Sequence, residues 1–285
     1  MTGVIATPSI SEIGHSLFEN FVFALKNYIK QPLKKIRNAD DLSDVNVLII
    51  VDELYGTNTN IWKTEHFINE LNKKNIKTVI FNFEKIHQGA WTHNIDWYKK
   101  ATAINNLQYV FSDVNDIKVF GGKILNKQLL SKDTKLPITI EQLNKPKKDR
   151  ILFLGQTTEH VYTQRRALLT ELSKKNLPLD IITSDRKYTY DHYMQMVCDY
   201  KYILNPIGSG HFLNLRFYEA LKLGCVPIQQ VTDQMLESYP ELYTNICFTF
   251  KTADDIKGLP EGNYNNYNYT LEQYFEDINL KSLYT

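Results

Sequence analysis

One stretch of the chain gathers residue types suited to holding a phosphorylated, hydroxyl-rich ligand: KYILNPIGSGHFLNLRFYEALKLGCVPIQQ, residues Lys201–Gln230. An apolar strand ends at Asn205-Pro206, a loop carrying Gly208 and Gly210 follows, and a helix opens near Asn214. Glycines let a backbone approach a phosphate closely, and a helix N-terminus offers free N–H groups at the positive end of its dipole. Arg216, in the first turn, can donate forked hydrogen bonds to a diphosphate. Glu219 lies one turn on, where a carboxylate can accept from both hydroxyls of a ribose. An isolated Arg-x-x-Glu reads more simply as a weak ion pair on an exposed helix face. The glycine loop before it and Gly224-Cys225-Val226-Pro227 after it favour the ligand site.

Such residues need a scaffold, and short β-rich apolar runs alternate with helical periodicity along the whole chain. In the first half, strands are expected at Gly3–Thr7, Val45–Val51, Lys77–Phe83 and Leu107–Phe111. Helices are expected between them at Glu12–Tyr28, Trp62–Lys74 and Asn94–Ile104. The run VNVLIIVDE is continuously apolar and then acidic, as for a strand buried on both faces of a parallel sheet and emerging at its carboxyl end. After Asp113, itself a helix N-cap by type and spacing, the alternation weakens. Leu136–Arg150 holds two prolines and a cluster of charge and reads as an interdomain connection.

The rhythm then restarts, with strands at Arg150–Leu154, Leu179–Thr183, Lys201–Asn205, Val226–Gln229 and Ile246–Phe250. Helices fall at about Gln164–Lys174, Tyr190–Asp199, Asn214–Leu223 and Thr232–Ser238. The expected fold class is α/β, with two Rossmann-like doubly wound domains facing across a cleft. The expected domains are residues 1–145, residues 146–270, and a closing helix in 271–285 that packs back toward the first.

Bulk properties narrow the function classes. With 285 residues, 43% hydrophobic and 23% charged, the chain is an ordinary globular protein. Its 33 Lys and Arg against 32 Asp and Glu predict no overall attraction to a polyanion, so a nucleic-acid partner needs a local basic patch. Cys198, Cys225 and Cys247 include no Cys-x-x-Cys pair, and His160, His192 and His211 are scattered, so no structural metal or disulfide framework is expected. Residues 1–10 lack a basic n-region, and no apolar run reaches the roughly 20 residues of a membrane span. A cytoplasmic enzyme is the expectation.

NLRFYEALKLGCVPI resembles the donor-site signature of GT-B glycosyltransferases, particularly exostosin-like enzymes with Arg-x-x-Glu-Ala followed by Gly-Cys-Val-Pro-Val. It is also similar to phage enzymes that glucosylate hydroxymethylcytosine in DNA, which carry Leu-Arg-x-x-Glu at this place. The resemblance implies a hexosyl- or pentosyltransferase whose co-substrate is a nucleotide-sugar, with Arg216 on the diphosphate and Glu219 on the donor ribose. Upstream, ILFLGQTTEHVYTQRRALLTEL resembles the first strand, glycine loop and helix of the same domain. There the resemblance implies Gly155 in the loop and Arg165, then Arg166, near the phosphates. ITSDRKY, Ile182–Tyr188, leaves a strand where such domains hold the nucleobase through backbone, here at Thr183 and Ser184. The likeness covers roughly residues 150–255.

Glycosyl transfer needs positive charge on the leaving diphosphate and, in many cases, a base for the acceptor hydroxyl. No Asp-x-Asp triplet occurs, which favours transfer without a metal or other cofactor. A base is expected at a carboxyl end of a first-half strand, and three residues qualify: His15, Asp52 and Glu84. Glu84 is favoured because the phage enzymes carry a catalytic Asp at that place. A reaction that retains configuration needs no such base. Two acceptors remain open, a glycan or similar hydroxylated molecule and a hydroxymethylated pyrimidine in DNA. A third reading, a non-catalytic nucleotide-sugar binding module, keeps the donor site without turnover.

Overall fold

The computed structural model describes residues 1–6, 15–30, 33–52, 62–83, 86, 95–125, 129–158, 162–183, 188–208 and 213–283. The chain divides into two compact units, residues 1–133 with 269–285, and residues 134–268.

The first unit is built on β1 (Thr2–Ala6), α1 (His15–Ile29), β2 (Leu33–Lys35), β3 (Val47–Asp52), α2 (Glu65–Lys73), β4 (Lys77–Asn82), α3 (Ile95–Ala101), β5 (Leu107–Phe111), α4 (Val114–Phe120) and β6 (Lys123–Ile124). All its strand pairs are parallel, in the order β2-β1-β3-β4-β5-β6. Every residue of β3 is buried, because helices cover both faces. On one face Leu48, Ile50, Ile80 and Phe111 pack with Phe67 and Leu71 of α2 and Tyr98 of α3. On the other, Phe81 meets Phe21 of α1 edge to face at 5.1 Å, and Phe21 meets Phe275 at 5.2 Å. Asp113 caps α4 by accepting from the Asn115 amide, as its type and spacing predict.

The second unit follows with α5 (Ile140–Leu143), β7 (Lys148–Gly155), α6 (Thr163–Ser173), β8 (Leu179–Thr183), α7 (Tyr190–Cys198), β9 (Tyr200–Asn205), α8 (Leu215–Lys222), β10 (Val226–Gln230), α9 (Asp233–Ser238) and β11 (Phe248–Phe250). Its strands are also parallel, in the order β11-β10-β9-β7-β8. The period of two along β7 serves two helix layers. Ile151 and Phe153 face Leu168, Leu169 and Leu172 of α6. Leu152 and Leu154 face Met194 and Val197 of α7, Ala220 of α8 and Leu223 just beyond it.

The remaining helix, α10 (Leu271–Asp277), belongs to the first unit, where Phe275 joins the aromatic cluster. A helix through Leu283 is expected from the sequence, but Asn279 takes φ of 56°, which ends the run before a short 3₁₀ turn. Residues 134–145, counted with the first domain in the sequence, group with the second unit because Leu136, Ile138 and Leu143 pack on its α7–α8 layer. No helix among the described residues is long and apolar enough to cross a membrane.

Candidate functional site

In an open parallel sheet, ligands bind beyond the carboxyl ends of the strands, where the winding reverses direction. In the second unit that reversal lies between β7 and β9, because β8 extends the sheet on one side and β10 on the other. Gly155 ends β7 beside Thr183 of β8, and Asn205 ends β9 beside Gln229 of β10.

Arg216, from the first turn of α8, enters this crevice. A Cβ added to Gly155 would stand 2.4 Å from its Nη2. A side chain at 155 would therefore displace the guanidinium. Arg216 Nη1 donates to Asn205 Oδ1 at 3.4 Å, and the guanidinium carbon lies 5.4 Å from the centroid of Phe153. Asn205 is fully buried and donates in turn to Gln229 Oε1, so its side chain orients Arg216.

Arg165 and Arg166 are neighbours on α6, and the roughly 100° turn per residue sends them to different surroundings. Arg166 is exposed, whereas Arg165 is 7% exposed. Arg165 donates to the Gln156 carbonyl at 2.9 Å and stacks 4.0 Å over the Tyr162 ring. Its Nη2 lies 3.5 Å from a Cβ built on Gly208. Burial first, and the like charge of Arg216 second, lower the Arg165 guanidinium to about 10. It stays charged at neutral pH. Neither arginine pairs with a carboxylate within salt-bridge distance among the described residues, and the Nε of each is buried without a partner.

The helix termini at the crevice show the same incompleteness. Thr64, Asp113, Thr139, Thr189, Thr232 and Thr270 cap their helices through side-chain oxygens. Tyr162 before α6 and Asn214 before α8 make no side-chain cap. These two helices follow β7 and β9, so their uncapped N–H groups sit beside the paired arginines.

Glu219, in the second turn of α8, is only 3% exposed. Its Oε1 accepts from Tyr190 Oη at 2.9 Å and its Oε2 from Tyr193 Oη at 3.2 Å. Burial raises its carboxyl above the ordinary Glu value, against the opposing pull of the two hydroxyls and Arg216. The sequence offers Glu219 for a ligand but gives no sign of these tyrosines, which approach from α7 across 29 and 26 residues.

In the first unit, Asp52 ends β3 fully buried, and its Oδ2 accepts from Tyr98 Oη at 2.7 Å and pairs with Lys63 Nζ at 3.5 Å. Asn82 Nδ2 donates to the same Tyr98 oxygen at 2.6 Å. Burial raises the Asp52 carboxyl, and Lys63 and Tyr98 counter the rise. His15 heads α1; its side chain, like Glu84 and Ser184, lies outside the described residues. Thr183 is exposed at the end of β8.

No protein-family model matches the chain, and no curated protein matches its sequence. Among solved structures the chain is similar to an α1,3-fucosyltransferase solved with GDP-fucose, at 12% identity over 100% of this chain and 90% of that one, with a TM-score of 0.50. It is also similar to the spinosyn forosaminyltransferase SpnP, at 8% identity, 90% and 88% coverage and a TM-score of 0.41. The glycosyltransferase SnogD from Streptomyces nogalater gives 8%, 90% and 88% with a TM-score of 0.39. The first likeness bears on the fold, which is GT-B: two α/β units, each on a parallel sheet.

Proposed function

We propose that the protein is a glycosyltransferase that binds a nucleotide-sugar at the carboxyl ends of β7 and β9 and transfers its sugar to an acceptor hydroxyl. The observation that carries this reading is the like charge of Arg165 and Arg216 brought together, with no carboxylate within salt-bridge distance among the described residues and two helix termini without side-chain caps beside them. Two like charges held together, one buried and one half-buried, are costly unless an anion joins them. A diphosphate supplies that anion, and its charge grows as the bond to the anomeric carbon breaks. Fixed guanidinium and N–H donors stabilise the departing nucleoside diphosphate, while the acceptor oxygen forms the new bond to the sugar. This task needs no metal, in keeping with the absence of an Asp-x-Asp triplet from the sequence.

Of the three candidates for a base, Asp52 is engaged by Tyr98 and Lys63 within its own unit. The reading therefore takes Glu84, with His15 as the alternative. The proposed acceptor is a glycan or similar hydroxylated molecule. For DNA the linker cations would have to gather the backbone, yet Lys148 pairs with Asp199 and Arg150 takes both oxygens of Asp180. Lys34 likewise pairs with Asp44.

The test is nucleotide binding by calorimetry with UDP, GDP, CDP and dTDP on the wild type, Arg165→Ala and Arg216→Ala. A charge-assisted hydrogen bond contributes about 1.5–3 kcal/mol, so each variant should bind its nucleotide at least about tenfold more weakly. Equal affinity in all three proteins would show that the diphosphate sits elsewhere. Nucleotide binding without sugar transfer or donor hydrolysis would favour a binding module.

A further inference from the structure

Glu219 stands one helical turn from Arg216, where a donor ribose would reach it, yet the carboxylate is not open to a ligand. It is 3% exposed, and each of its oxygens already accepts from a tyrosine hydroxyl. The two tyrosines are not equivalent. Tyr190 is the first residue of α7, directly after the Thr189 cap, and it is 38% exposed. Tyr193 lies one turn further in, partly buried, and faces Arg216 as well as Glu219. Their rings lie nearly parallel, 22° apart with centroids 6.2 Å apart. With the carboxylate only 3% exposed, a sugar hydroxyl reaches it where one of these rings gives way, and Tyr190 is the more exposed of the two.

Resting on the donor-site reading above, we propose that Tyr190 is a displaceable stand-in for a ribose hydroxyl. It satisfies Glu219 Oε1 until a ribonucleotide takes that oxygen, while Tyr193 keeps Oε2 and holds the carboxylate in place. The exchange is one hydrogen bond for another. Affinity for the sugar part of the nucleotide is then a difference between two donors, reduced by whatever Tyr190 contributes. Tyr190 thus sets how strongly the site distinguishes a ribose from a sugar without hydroxyls.

The experiment measures dissociation constants of UDP, GDP and their 2′,3′-dideoxy counterparts for the wild type, Tyr190→Phe and Tyr193→Phe, with unfolding curves to show that each variant is folded. Tyr190→Phe removes the competitor and keeps the ring, so it should bind the preferred ribonucleotide about tenfold more tightly and the dideoxy form unchanged. Tyr193→Phe should shift the other way, weakening the ribonucleotide. Two results overturn the proposal while leaving the diphosphate site intact. One is ribonucleotide affinity that is unchanged or weakened in a folded Tyr190→Phe, and the other is a folded Tyr190→Phe that binds ribonucleotide and dideoxy form equally. A wild type that binds no nucleotide at all overturns the donor-site reading and this proposal together.

Discussion

Both units bury charge at the carboxyl ends of central strands, but they treat it differently. In the first, Asp52 is fully buried with Lys63, itself 4% exposed, and the hydroxyl of Tyr98 completes the contact. Opposite charges meet inside the fold, although Asp52 Oδ1 is buried without a hydrogen bond. In the second, the buried Arg165 and the half-buried Arg216 repel each other, and each keeps a buried Nε without a partner. Glu219 is near Arg216 but is taken up by tyrosine hydroxyls. A compensated pair serves the unit that contains it. On the proposed reading, a pair of like charge at a sheet's switch point is arranged for an anion that arrives.

The sharpest way to break this comparison is to remove a charge from the compensated region. Asp52→Ala leaves a buried ammonium without its carboxylate and should cost about 3–5 kcal/mol of stability by denaturant unfolding. Protein that remains folded should bind nucleotide as the wild type does. A loss of nucleotide affinity with little loss of stability would move Asp52 from the framework into the site.

A smaller effect tests the crevice without touching a charge. Gly155→Ala places a Cβ 2.4 Å from Arg216 Nη2, the mobile end of a long side chain, so the guanidinium gives way and the backbone stays. Gly155 is not among the described glycines with positive φ, so alanine carries no backbone strain there. Unfolding free energy should change by about 1 kcal/mol or less, while nucleoside diphosphate binds about tenfold more weakly. Unaltered affinity would show that the guanidinium need not occupy this crevice.

Much of the framework was legible because apolar runs and helical periods are local signals. The buried runs of β3, β4, β7 and β9 stand out in the sequence, and so does the glycine loop leading to Arg216. The edge strands β2 and β6, with sequences LKK and KI, are too short to show an apolar period. The helix α5 hid inside a stretch read as a linker. Its Thr139–Gln142 capping box is a local signal, but the prolines and charges around it dominated. What no local pattern could give is which side chains occupy Glu219. Tyr190 and Tyr193 belong to a different helix, and only the packing of α7 beside α8 on one face of the sheet brings them together.

The smallest expected effect concerns Glu219 as a stability element. Burial raises its folded-state carboxyl above the unfolded value, so the protonated form favours folding. That contribution is fully present below the unfolded value of about 4.3 and is lost as pH rises through the raised folded one. Glu219→Gln does not titrate and keeps an acceptor for one tyrosine. Its stability relative to the wild type should therefore rise with pH from about 4 upward and level off above the folded value. Taking the difference between the two proteins cancels Asp52 and every other group that titrates alike in both. The same variant should bind ribonucleotide more weakly, since it trades a carboxylate for a neutral amide. A stability difference that is flat or falls with pH would mean that Arg216 and the hydroxyls outweigh burial. Glu219 would then differ from Asp52, whose carboxyl burial still raises, and the contrast between the two regions would rest on the arginines alone.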